Sequence, residues 1–195
     1  MFGNIRTSMS DDIPFSEFEQ YPEMTKSQKD VMTSVGIALF GIHGAENYLK
    51  FVLSYIFPAD EGATWTDLLA EDQRRRKDTL GRMITRLREQ AIVDPDFEAL
   101  LSRFLFNRNR FVHGLLVEPG FIPDDDEGIA NIRTFLNELE HDCWYITSIL
   151  RGYATMFVKV MGFDDIIPTD SITFKNNHKY FAPVIDFKDL EDRRT

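Results

Sequence analysis

Six consecutive residues, Arg108-Asn109-Arg110-Phe111-Val112-His113, put a guanidinium, an amide and an imidazole on one short stretch. A guanidinium grips a phosphate through its planar fork of donors, and an imidazole exchanges protons near neutral pH. The stretch therefore holds the groups that phosphoryl chemistry needs. It lies in an apolar segment starting near Phe97, where Arg108 interrupts the helical row Phe97, Leu101, Phe104, Arg108, Phe111, Leu115. An unpaired buried guanidinium is costly. The position demands either a carboxylate partner inside the fold, or a cleft or interface that an anion can enter.

On an ideal helix Arg108 and His113 fall about 140° apart around the axis and about 7.5 Å apart along it, whereas Asn109 and His113 lie within about 40° and can hydrogen-bond. For Arg108 to join them, its side chain must reach around or the helix must loosen near Gly114. The row Phe106, Asn109, His113, Leu116 forms a second, semi-apolar face. A helix apolar on two faces is buried on two faces. The expected cover is another copy of the chain, related by two-fold symmetry that brings both motifs together.

The elements that must hold this motif follow from caps and periodicity. Thr25-Lys26-Ser27-Gln28 reads as a capping box. It opens a long helix with the row Val31, Val35, Ala38, Ile42, Ala45, Leu49, Val52, Ile56, which Pro58 ends. Beside it runs Met32, Leu39, Glu46, Leu53, where Glu46 is the only charge and the natural internal partner of Arg108. From Pro58 to Lys77 the expectation is a connecting loop with one helical turn. Asp78 or Thr79 caps a short basic helix with the buried row Leu80, Ile84, Leu87, Ala91.

Asp94-Pro95 starts the motif-bearing helix, with Asp as cap and Pro at the first helical position. Gly114 and Pro119-Gly120 bound its end. The acidic run Asp124 to Glu127 suits the N-terminus of a further helix, whose row Ile129, Ile132, Leu136, Leu139, Cys143, Ile146, Leu150, Tyr153, Phe157, Val160 runs to Gly162. The predicted fold is all-α. It is an up-and-down four-helix bundle over 25–162, with an extended N-terminal arm over 1–24 and a C-terminal tail over 163–195 that is irregular or one small hairpin.

Composition bounds the function. A chain of 195 residues suits one domain. The single Cys143 excludes an intramolecular disulfide, argues against a cysteine-based zinc site and fits a reducing, cytoplasmic compartment. With no apolar signal core in Met1 to Asp12 and no apolar run of about 18 residues, the expectation is a soluble protein without a membrane partner. The net charge of −10 opposes general nucleic-acid affinity. The cations are clustered, however: Arg74, Arg75, Arg76, Lys77, Arg82, Arg86 and Arg88 in one region, Arg103, Arg108 and Arg110 in the next.

Three passages resemble the HEPN domains, small four-helix bundles of prokaryotic toxin, phage-defence and CRISPR-associated proteins and of some eukaryotic ones. Arg108-Asn109-Arg110-Phe111-Val112-His113 is similar to the family motif of Arg, a polar residue, a few residues and His, at its shortest spacing. Ala45-Glu46-Asn47-Tyr48-Leu49-Lys50 resembles the alanine-glutamate, leucine-lysine pattern of the family's early long helix. Thr79-Leu80-Gly81-Arg82-Met83-Ile84 resembles the threonine-leucine-glycine start of its next helix. The likeness spans about residues 25–160 and leaves both arms unmatched.

The resemblance implies a metal-independent endoribonuclease, active as a homodimer and needing no cofactor, in which the ribose 2′-hydroxyl attacks the adjacent phosphate. It implies His113 as general base or acid and Arg108 as the group that stabilises charge on the phosphorane. Asn109 would orient His113 or hold substrate, and Glu46 would fix Arg108. Arg74, Arg75, Arg76, Arg82 and Arg110 would guide the RNA, and an antitoxin or other regulatory protein is a further expected partner.

The same residues admit two other readings. A buried Arg108–Glu46 pair, with His113 satisfied by a backbone carbonyl, suits a non-catalytic helical adaptor that binds protein through the second face. The nuclease needs His113 ionisable and accessible across the dimer, whereas the adaptor needs only the apolar rows. A bundle with a nucleotide near Arg108 is disfavoured because the sequence has no glycine-rich phosphate loop. His43 reads as a helix-packing residue, His141 and His178 as solvated, and Trp65 and Trp144 as packing residues.

Overall fold

The computed structural model describes residues 23–58, 62–75, 77–162 and 184–187. Among these the chain is mostly helical, with five α-helices and one two-stranded sheet. No described helix is long and apolar enough to cross a membrane. The expected N-terminal arm lies outside the described residues except at its last two positions.

Helix α1 spans Lys26–Phe51 and opens as expected. Thr25 Oγ1 accepts from the Gln28 backbone N–H, and Gln28 Oε1 accepts from the Thr25 backbone N–H. A π-helical turn, Val52–Ile56, extends α1. Helix α5, Asp126–Val160, is capped by Asp125, whose carboxylate accepts from the Gly128 backbone N–H at 2.7 Å.

Most members of the two apolar rows read from the sequence form the seam between these helices, whereas Val160, expected at the end of the second row, is 82% exposed. Ala38, Ile42, Ala45 and Leu49 of α1 are buried, as are Ile132, Leu136, Leu139, Cys143, Ile146 and Leu150 of α5. The helices come so close that a Cβ on Gly41 would stand 3.0 Å from Cys143 Cβ. Gly128 is tighter still, since a Cβ there would overlap the Ile122 carbonyl oxygen at 1.8 Å.

Helix α2, Trp65–Arg75, corrects the expected loop between Pro58 and Lys77. Thr64 and Asp67 cap it reciprocally, with Asp67 Oδ2 accepting from the Thr64 backbone N–H at 2.9 Å. The Thr64 hydroxyl, donating to Asp67 Oδ2 at 2.6 Å, and the Thr64 backbone N–H together hold the Asp67 carboxyl below its usual value. Periodicity missed α2 because Trp65 and Leu69 are exposed, and its one buried residue is a charged one, Arg75.

Helix α3, Leu80–Gln90, is capped by Thr79 and buries Leu80, Met83, Ile84 and Leu87. Helix α4, Pro95–His113, starts at the Asp94 cap with Pro in its first turn, buries Phe97, Leu101 and Phe104, and stops at Gly114. A single 3-10 turn, Leu115–Val117, follows.

Strand β1, Ala91–Val93, joins α3 to α4 and pairs antiparallel with β2, Ile185–Phe187. The described part of the expected tail therefore joins the domain through β1 instead of forming a hairpin within the tail. The other residues of 163–195 lie outside the described residues.

A buried tyrosine fastens β2. Tyr153 Oη of α5 donates to the Ile185 carbonyl at 2.8 Å and accepts from the Ile185 backbone N–H at 2.7 Å. Burial pushes the Tyr153 phenol above its ordinary value. Replacing Tyr153 with Phe keeps the ring and strips two backbone groups of their partner, so a loss of about 1–3 kcal/mol is expected. Urea unfolding measures it, and hydrogen exchange at Ile185 reports whether β2 opens first.

Candidate functional site

The motif residues sit in the last two turns of α4, which runs unbroken to His113. Arg108 reaches α1. Its Nε donates to Glu46 Oε1 at 3.2 Å, and Nη2 lies 3.1 Å from the same oxygen. The sequence expectation of a Glu46 partner is met in this geometry. The pair is neither dry nor open, with side-chain exposures of 24% for Arg108 and 14% for Glu46.

Asn109 does not bond His113. Its Oδ1 instead accepts from Arg108 Nη1 at 3.2 Å, so the guanidinium is braced from two sides. His113 is exposed and has no hydrogen-bond partner among the described residues. On the same outward face Phe106 is 68% exposed.

Arg110, expected to guide RNA, is committed elsewhere. Its Nε donates to Glu118 Oε1 at 2.9 Å, with a second short pairing between Nη2 and Glu118 Oε2. The guanidinium also stacks over the rings of Phe121 and Phe135. The hydrogen bonds with Glu118 raise the Arg110 pKa and hold the Glu118 carboxyl below its usual range.

The described arginines at the end of α2 and in α3 are likewise paired with carboxylates. Arg75 is fully buried, with Nε donating to Glu71 Oε1 at 3.0 Å while Nη1 and Nη2 have no partner among the described residues. Desolvation lowers the Arg75 pKa. Arg86 pairs with both Glu71 and Asp78, Arg82 pairs with Asp78 at 3.4 Å, and Arg74 pairs with Glu71 at 2.6 Å. Arg74 and Arg82 are well exposed, at 74% and 68%, Lys77 and Arg88 are exposed as well, and Arg76 lies outside the described residues. Arg75 is thus a buried structural cation and no RNA contact; no row of apolar residues could have signalled it.

Other single-residue expectations divide. His43 is exposed and is no packing residue. His141 is exposed beside Tyr145, and His178 lies outside the described residues. Trp65 joins a cluster of rings at the end of α1, while Trp144 is 48% exposed.

Sequence reasoning missed one strong pair. Arg103 of α4 grips Asp142 of α5 with two parallel hydrogen bonds, Nε to Oδ2 at 2.9 Å and Nη2 to Oδ1 at 2.6 Å. That bond raises the Arg103 pKa. Asp142 is 2% exposed among residues that otherwise alternate as an apolar row, which hid it.

Between these pairs lies Cys143, whose thiol burial pushes up to about 12, with Asp142, Glu140 and Glu46 adding negative potential. It stays a neutral, inert thiol. Among the described residues no group of three His, Cys, Asp or Glu is arranged to hold a metal ion.

The Arg108–Glu46 pair should be coupled by about 1–3 kcal/mol, more than an exposed ion pair. A double-mutant cycle of Arg108→Gln and Glu46→Gln, followed by urea unfolding, measures that coupling.

Glu140 supplies a pH test. Burial raises its carboxyl pKa, and Oε1 has no hydrogen-bond partner among the described residues. The folded chain holds this proton more tightly than the unfolded one, so the stability contribution is full below the unfolded value and falls as pH rises through the folded one. Glu140→Gln should raise the melting temperature at about pH 7 and lose that advantage at about pH 4. Thermal unfolding at the two pH values checks it.

Comparison with family descriptions, with curated proteins and with solved structures finds no match to this chain.

Proposed function

We propose that the chain is a metal-independent endoribonuclease of toxin or defence type, a HEPN-like four-helix bundle acting on RNA as a cytoplasmic homodimer. In this reading α1, α3, α4 and α5 are the bundle helices and α2 is an insertion between the first two. The supporting observation is a contrast along α4: Arg108 is braced by Glu46 and Asn109 yet partly exposed, while His113 is exposed and unpartnered among the described residues. A purely structural ion pair has no need of a free imidazole near it.

Within one chain Arg108 and His113 diverge around an unbroken helix by about 140°. A phosphate held by both needs groups from two copies. Phe106 and Val112, 68% and 46% exposed, supply apolar surface for that union.

In the joined site His113 takes the proton from the ribose 2′-hydroxyl as its oxygen attacks phosphorus, or supplies one to the departing 5′ oxygen as the P–O5′ bond breaks. The products are a 2′,3′-cyclic phosphate and a 5′-hydroxyl. Arg108 stabilises the charge that grows on the non-bridging oxygens, and Glu46 and Asn109 fix its fork.

The adaptor reading has its own support. Most cations expected to steer RNA are tied to carboxylates of the same chain, which favours a protein ligand on the uncharged face.

The deciding measurement is cleavage of a mixed RNA pool in excess EDTA by the wild-type chain, His113→Ala and Arg108→Ala. Each substitution should lower the rate at least about a hundredfold while leaving the chain folded and dimeric. The products should end in 2′,3′-cyclic phosphate. Phe106→Glu should give a monomer that does not cut. A dimeric wild type that cuts nothing in the pool favours the adaptor.

A further inference from the structure

At the end of α1 remote from its capping box, the π-helical turn, α2 and α5 enclose an open cleft of about 700 Å³. Its walls are aromatic. Phe51, Tyr55, Trp65 and Phe157 come from three helices, with ring centroids 4.9 to 6.4 Å apart. Rings gathered only to fill a core would be buried, yet Trp65 is 46% exposed at the cleft. Such a wall suits a flat aromatic ligand, which gains by stacking at little entropic cost.

The rim is polar and uncommitted. Lys50 and Asp72 both line the cleft, and neither has an ion-pair or hydrogen-bond partner among the described residues. Asn47 adds an amide able to donate and accept. An ionised carboxylate only accepts hydrogen bonds. Of the four RNA bases, only guanine offers a carboxylate two adjacent N–H donors on its Watson–Crick edge, the edge that proteins read in unpaired RNA. An ammonium such as that of Lys50 is a point charge suited to phosphate.

We infer that this cleft binds a guanine nucleotide, the base stacked on the Trp65 and Tyr55 wall, its Watson–Crick edge facing Asp72 and its phosphate facing Lys50. The sequence has no glycine-rich phosphate loop, so stacking and base edge carry most of the affinity and one lysine carries the phosphate. The inference goes beyond the cleavage reading and does not rest on it, because binding is read without turnover. Lys50 lies one helical turn beyond Glu46, about 6 Å along the helix axis. An unpaired guanosine of an RNA strand and a free guanine nucleotide present the same chemistry to the cleft.

The test uses the chain's two tryptophans. Trp144→Phe leaves Trp65 as the only indole, and its fluorescence is followed during titration with 5′-GMP, guanosine, 5′-AMP, 5′-UMP and ribose 5-phosphate. Saturable quenching by 5′-GMP is expected, with 5′-AMP and 5′-UMP at least about tenfold weaker and ribose 5-phosphate silent. Lys50→Ala should weaken 5′-GMP about tenfold and leave guanosine unchanged, and Asp72→Asn should erase the preference for guanine. Tighter binding of a short guanosine-containing single strand than of 5′-GMP assigns the site to RNA, and the reverse assigns it to the free nucleotide. Equilibrium dialysis on the unsubstituted chain repeats the measurement without touching either tryptophan. No saturable binding of 5′-GMP or the single strand, or equal quenching by all three nucleotides, overturns the inference.

Discussion

The close approach of α1 and α5 is the constraint on which the rest depends. At Gly41 a Cβ on α1 would crowd Cys143, 3.0 Å from its Cβ, and interiors packed this densely transmit any displacement to their neighbours. Just beyond that contact α1 carries Glu46, and α5 carries Asp142 beside Cys143 itself. Helix α4 then spans the two with two arginines, Arg103 to Asp142 on α5 and Arg108 to Glu46 on α1. Losing Arg103 would strand a carboxylate that is 2% exposed, which costs far more than an exposed ion pair contributes. The motif is therefore positioned by electrostatics acting across an apolar seam, and the seam fixes where the carboxylates stand.

Much of this frame was legible because it is periodic and local. The α1 and α5 rows, the Thr25 and Asp94 caps and the stop at Gly114 depend on residues within a turn or two of one another. Glu46 could be matched to Arg108 because each was the lone charge in an apolar row, and a buried charge needs an opposite one. What stayed hidden depends on partners far along the chain. Asp142 meets Arg103 across 39 positions, and β1 meets β2 across about half the chain in three residue pairs. A three-residue strand carries too little alternation to declare itself.

The arginine clusters teach a different lesson. Arg75 follows Glu71 by four, and Arg82 follows Asp78 by four, the spacing at which helical ion pairs form. The carboxylates that pair with the run were thus visible in the same window as the cations, and counting the cations alone overlooked that pairing. The Thr64 and Asp67 cap was equally readable, but exposed Trp65 and Leu69 broke the apolar pattern that would have called for a helix behind it.

The pairing has a consequence for association. Two chains of net charge −10 repel each other over roughly a Debye length of 8 to 10 Å at ordinary ionic strength, so a shared face must be free of unpaired carboxylates. Along the last turns of α4 the arginines Arg103, Arg108 and Arg110 are each spent on a carboxylate of their own chain, and the helix's own acids, Asp96 and Glu98, stand in its first turn. Phe106, Asn109, Val112 and His113 remain outward: two apolar groups, an amide and an imidazole. Internal ion pairing thus leaves an uncharged strip on an acidic molecule, and on that strip the proposed two-fold union sets the imidazole of one copy near the guanidinium of the other.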